Sequence, residues 1–116
     1  MAVKLNSTSF NHAKRLIKDG KYVLDDRDAW SEHQPTAEEE NRFIEKNGFD
    51  EYSRWYLGVD DDEDPDTKAH YKFPYSDFKR VHRCGLLAAE TRAAQRDYED
   101  IKNAAHQLHE MLDALK

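Results

Sequence analysis

Apolar residues recur at intervals of three and four through the last third of the chain: Tyr98, Ile101, Ala105, Leu108, Leu112 and Leu115. That spacing predicts a helix whose stripe seats against a second helix. Directly upstream, "FKRVHRCGLLAAETRAAQ" follows Ser76 and Asp77, either of which can cap a helix. Gly85, Ala88, Ala89 and Ala93 give that helix a face of small residues for close approach. A short break near Arg96, with Asp97 as cap of the next helix, predicts an antiparallel hairpin.

Earlier segments are read from the same signals. Phe10, Ala13, Leu16 and Ile17 lie at helical spacing with Gly20 as a stop, so residues 1–20 form a short helix ending near Asp19 or a mobile arm. "KYVLDD" suits an extended segment, and Trp30 anchors the loop after it. In "PTAEEENRFIEKNG", Thr36 is the N-cap, Glu39 completes a capping box and Gly48 is the stop, with Phe43 and Ile44 facing the core. "FDEYSRWYLGVD" reads as a helical turn or as a passage into a strand through "WYLGV". "AHYKFPY" reads as a second strand across an acidic loop, with Pro74 at its end. The expected fold class is α+β, mainly α: a single small helical domain over residues 1–116 with a C-terminal antiparallel helix hairpin and a short β-hairpin.

Composition tests whether such a chain can fold. Leu, Ile, Val and Phe total 21 of 116 residues, but two tryptophans and six tyrosines add burial and the net charge is only −6. The start, "MAVKLNSTSF", lacks the apolar run of a secretory signal, and no stretch approaches the ~20 apolar residues of a membrane span. Cys84 is the single cysteine, so no internal disulfide can form. A cytoplasmic protein is expected.

Charge is distributed unevenly. Residues 1–67 carry 9 Lys/Arg against 17 Asp/Glu, whereas residues 68–96 carry 7 against 2. An acidic protein with one basic segment repels the phosphate backbone that the segment attracts, which argues against nucleic acid as a partner. A local anion site stays open. Its candidate residues are Lys72, Tyr75, Lys79, Arg80, His82 and Arg83, placed at the basic start of a helix near residue 79.

Other chemistry finds less support. Asp60, Asp62, Asp64 and Asp66 alternate as in a calcium loop, but an EF-hand starting at Asp60 needs Gly and Glu where the chain has Pro65 and Tyr71. The expected role of this loop is a solvated turn. His106, His109 and Glu110 have a spacing a zinc ion can use, with His82 as a further ligand, although solvent exposure is the simpler expectation. Cys84 and His82 sit two apart, which on a helix points them to nearly opposite sides, so they form no nucleophile and base pair unless another histidine folds onto the thiol. No catalytic residue, metal or cofactor is expected.

Two stretches carry a resemblance. "LDDRDAWSEHQPTAEEENRFIEKNGFDEYSRWYLGVD" followed by "DTKAHYKFPYSDFKRVHRCGLLAAETRAAQ" resembles a group of small bacterial proteins of about this length, described as conserved proteins of unknown function. The similarity spans about Lys21 to Leu115 and brings no catalytic or binding residue with it. The step "KFPYSD...H" also resembles a short Lys-Tyr-Pro-Ile motif followed by Asp and His in some phage head-assembly proteins, with Tyr75 in place of the aliphatic residue. Two function classes remain: a non-enzymatic interaction or accessory protein with a protein partner or a second copy, and a module binding a phosphorylated small molecule or nucleic acid.

Overall fold

A computed structural model of the chain describes residues 3–26 and 29–115. In chain order the elements are β1 (Val3–Leu5), α1 (Ser7–Lys18), β2 (Tyr22–Val23), α2 (Trp30–His33), α3 (Ala37–Ser53), β3 (Tyr56–Asp60), β4 (Tyr71–Pro74), β5 (Val81–His82), α4 (Arg83–Gln95) and α5 (Glu99–Asp113). A 3₁₀ turn, Lys68–His70, leads into β4. The protein is a small, mainly helical α+β domain.

The C-terminal helices form the predicted hairpin. Ile101, Ala105, Leu108 and Leu112 are fully buried and share the core with Leu86, Ala89 and Ala93 of α4. Arg83 at the start of α4 contacts Asp113 at the end of α5 at 2.7 Å, which fixes the pair as antiparallel. Leu115 falls outside the seam and is half exposed. At the corner Asp97 does not cap α5. It takes φ 59, and the amides of Asp97 and Tyr98 bond back to the carbonyls of Ala94 and Ala93, closing α4 as a Schellman turn.

β3 is the centre of a three-stranded antiparallel sheet, flanked by β1 and β4. Val3 faces Asp60 on one side and Tyr56 faces Pro74 on the other, so β3 and β4 make the hairpin expected across the acidic loop. α1 contributes Ala13, Leu16 and Ile17 to the core. In α3, Thr36 and Glu39 make the capping box, but Gly48, at φ 82, kinks the helix instead of ending it. The chain resumes for one more turn and delivers Tyr52 to the core at 1% exposure.

One expected boundary is displaced. Ser76 and Asp77 do not cap a helix: Ser76 Oγ accepts from the Phe78 amide, and Asp77 Oδ1 accepts from the amides of Lys79 and Arg80. The same side-chain chemistry that caps helices also closes turns. Residues 76–80 are therefore a turn, Val81 and His82 form a strand, and α4 begins only at Arg83. That strand pairs in parallel with β2, aligning Val23 with His82. Beyond it, Gly85 packs so closely on the Tyr75 backbone that a Cβ there would lie 2.7 Å from the carbonyl oxygen.

Candidate functional site

A cleft of about 250 Å³ lies between the sheet and the hairpin corner, lined by Val3, Asp60, Lys72, Phe73, Arg92, Arg96 and Tyr98. β4 supplies Lys72, and the i,i+4 pair Arg92 and Arg96 comes from the end of α4. None of the three cations has an ion-pair partner among the described residues. Phe73 and Tyr98 meet edge to face with centroids 6.0 Å apart. Phe73 holds φ 64, a conformation that costs a bulky residue energy and is retained only where the surroundings dictate it.

The six sequence candidates are dispersed. Lys72 lines the cleft. Tyr75 is fully buried, its hydroxyl donating to the Arg54 carbonyl at 2.8 Å and accepting from Ser9. Lys79 and Arg80 lie exposed on the 76–80 turn rather than at a helix start. His82 is buried, and Arg83 is held by Asp113. Arg92 and Arg96 were not among the candidates, although their i,i+4 spacing beside Ala89 and Ala93 is visible in the sequence.

A second constellation lies at the carboxyl ends of β2 and β5. Asp25 stands two residues beyond Val23, and Cys84 stands two beyond its partner His82. The Asp25 carboxylate takes the His82 ring through Nδ1 at 2.7 Å and the Cys84 amide at 2.8 Å. Burial by itself would raise the Asp25 carboxyl, but the hydrogen bonds from Cys84 and His82 outweigh it and hold the group below its ordinary value. On the opposite side of the ring, Nε2 lies 3.0 Å from Asp77 Oδ2. His33 from α2 leans over the ring at 4.8 Å between centroids, its Nε2 3.8 Å from Asp25 Oδ2.

His82 and Cys84 thus share one partner, contrary to the helical reading of their spacing. His82 is the last strand residue and Cys84 the second helical one, so both turn toward Asp25. Donor atoms of Asp25, His82 and Cys84 all lie within 4.8 Å of one another. The thiol is no nucleophile in this state: it is fully buried, and desolvation, reinforced by the adjoining Asp25, pushes it up to about 12.

His106 and His109 also converge, with Glu90 of α4 where the sequence offered His82. Their Nδ1 atoms lie 2.7 and 2.8 Å from the two Glu90 oxygens, and Glu110 contacts His106 from the next turn. The acidic loop instead hydrogen-bonds itself: Asp60 and Asp64 accept the amides of Asp62 and Asp66, and Tyr71 donates to the Pro65 carbonyl. Among the described residues its carboxylates form no cluster of metal-ligand geometry. No described helix is long and apolar enough to cross a membrane. No protein-family model, curated protein or solved structure matches the chain.

Proposed function

We propose that the protein is a cytoplasmic, non-catalytic binding protein for a small phosphorylated molecule, held in the cleft of Lys72, Arg92 and Arg96. The observation that carries this reading is the convergence of three cations, none with an ion-pair partner among the described residues, on one cleft with aromatic walls. Guanidinium groups bind phosphate oxygens bidentately, and Tyr98 and Phe73 add aromatic surface to the lining for an apolar portion. Asp60 in the lining favours a ligand that also presents a hydroxyl or amine. The volume is below the ~300–1,000 Å³ of drug-sized sites, which favours a small metabolite over a nucleic acid strand. Among the described residues only Leu24 and Leu115 are exposed large hydrophobics, too few for an apolar docking face.

Calorimetric titration at low salt with inorganic phosphate, pyrophosphate and nucleoside monophosphates tests the reading. Arg96→Gln and Arg92→Gln should each weaken binding about tenfold or more, as loss of a charge-assisted hydrogen bond requires. The Lys79→Gln/Arg80→Gln variant should bind as the parent does. No binding by the parent, or equal loss in both sets of variants, overturns the proposal.

A further inference from the structure

The constellation at the ends of β2 and β5 is independent of the cleft. We infer that Asp25, His82 and Cys84, with His33 as the closing fourth ligand, form a binding site for a borderline-soft divalent metal ion of the zinc class.

Three observations carry the assignment. The donor types are one thiolate, two imidazoles and one carboxylate, the set that zinc takes in four-coordinate sites. Their placement is built rather than incidental: His82 lies in the parallel β2–β5 register, the Asp25 carboxylate bonds both the His82 ring and the Cys84 amide, and His82 and Cys84 are 3% and 0% exposed. His33 is exposed at 40% of its side chain and its Nε2 lies 3.8 Å from Asp25 Oδ2, so it borders the group on its solvent side.

Asp77 supplies the third observation. The His82 ring is bracketed by two carboxylates, with Nδ1 2.7 Å from Asp25 Oδ2 and Nε2 3.0 Å from Asp77 Oδ2. An ion on Nδ1 displaces the proton shared with Asp25, to Nε2 or to solvent. A ring proton on Nε2 then has Asp77 as its acceptor, which is the carboxylate–histidine–metal arrangement that orients ligating imidazoles. Binding releases the Cys84 thiol proton to solvent, and the ion takes its place between Sγ and the Asp25 carboxylate.

Cobalt(II) is the probe, because Cys84 is the only cysteine of the chain and a thiolate-to-cobalt charge-transfer band reports this site alone. Chelator-stripped, reduced protein titrated with Co²⁺ should show that band at one ion per chain, and Zn²⁺ should displace it. His33→Gln, at an exposed position that leaves the fold intact, should weaken the ion at least tenfold, and Asp77→Asn about 10- to 100-fold. Cys84→Ser should abolish the band while circular dichroism reports whether the variant is folded. Absence of the band in the parent overturns the assignment. So does cobalt binding that survives Cys84→Ser and disappears in His106→Gln/His109→Gln, which places the ion on the α4–α5 surface, or an affinity unchanged by His33→Gln.

Discussion

The Asp25 carboxylate lies 2.7 Å from Nδ1 of His82, across 57 residues of chain. Its other oxygen accepts the Cys84 amide, one of the free donors at the start of α4, so one side chain ties the end of β2 to the strand–helix junction. Asp25→Ala leaves both donors buried without an acceptor and should cost about 2 to 4 kcal/mol in metal-free protein. Asp25→Asn keeps one acceptor oxygen and should cost less. Urea unfolding of the two variants gives the order, and equal stability of Ala and parent would show that the contact holds nothing together.

Leu108 is fully buried in the α4–α5 seam. Leu108→Ala should destabilise the protein by about 2 to 5 kcal/mol, the lost transfer energy plus a cavity that the tight hairpin cannot close. The midpoint of chemical denaturation should fall with little change in slope. A variant that unfolds with the parent would contradict the observed packing.

The hairpin seam was legible because its signal is a period sustained over four turns, and the β3–β4 pair because two aromatic runs flank a loop that cannot itself be buried. The start of α4 was not. Ser76 and Asp77 are residues that close a turn as well as they cap a helix, and the choice is made by Val81 pairing with β2, nearly 60 residues away. The same long-range pairing hides the Asp25 constellation: nothing near "VLDD" in sequence points to His82 or Cys84. Arg92 and Arg96 were present as a spacing, but their target becomes visible only once β4 brings Lys72 beside them.

Gly85 sits where α4 crosses the Tyr75 backbone, with no room for a methyl group. The opposing atoms are main chain and the Tyr75 carbonyl also accepts the His82 amide, so neither side can move without breaking the strand. Gly85→Ala should cost about 1 to 3 kcal/mol despite the better helix propensity of alanine. Thermal denaturation decides between the two effects, and a raised melting temperature would show that propensity prevails.

Asp97 occupies the left-handed region at φ 59, at the position after the helix cap where glycine is the usual residue. An L-residue pays about 1 to 2 kcal/mol there, partly returned by its lower entropy in the unfolded chain. Asp97→Gly should therefore stabilise the hairpin by about 0.5 to 1 kcal/mol, read as a rise in the denaturation midpoint. A loss of stability would indicate that the Asp97 side chain contributes more than its strain removes.

His106 gives the protein a pH-dependent clip between its last two helices. Its ring faces Glu90 on α4 and Glu110 on its own helix, with the His109 ring 4.9 Å away. The hydrogen bond to Glu90 is the main cause that raises His106 above its ordinary value of 6.5, with both carboxylates adding attraction. A raised value means that the folded state holds the proton more tightly than the unfolded one. The clip is thus fully present below the unfolded value and is lost as pH rises through the higher folded one. The melting-temperature advantage of the parent over His106→Gln should accordingly be largest near about pH 6 and shrink toward about pH 9, and salt should reduce it because the ring is exposed. An advantage that grows with pH would reverse the sign and remove the clip.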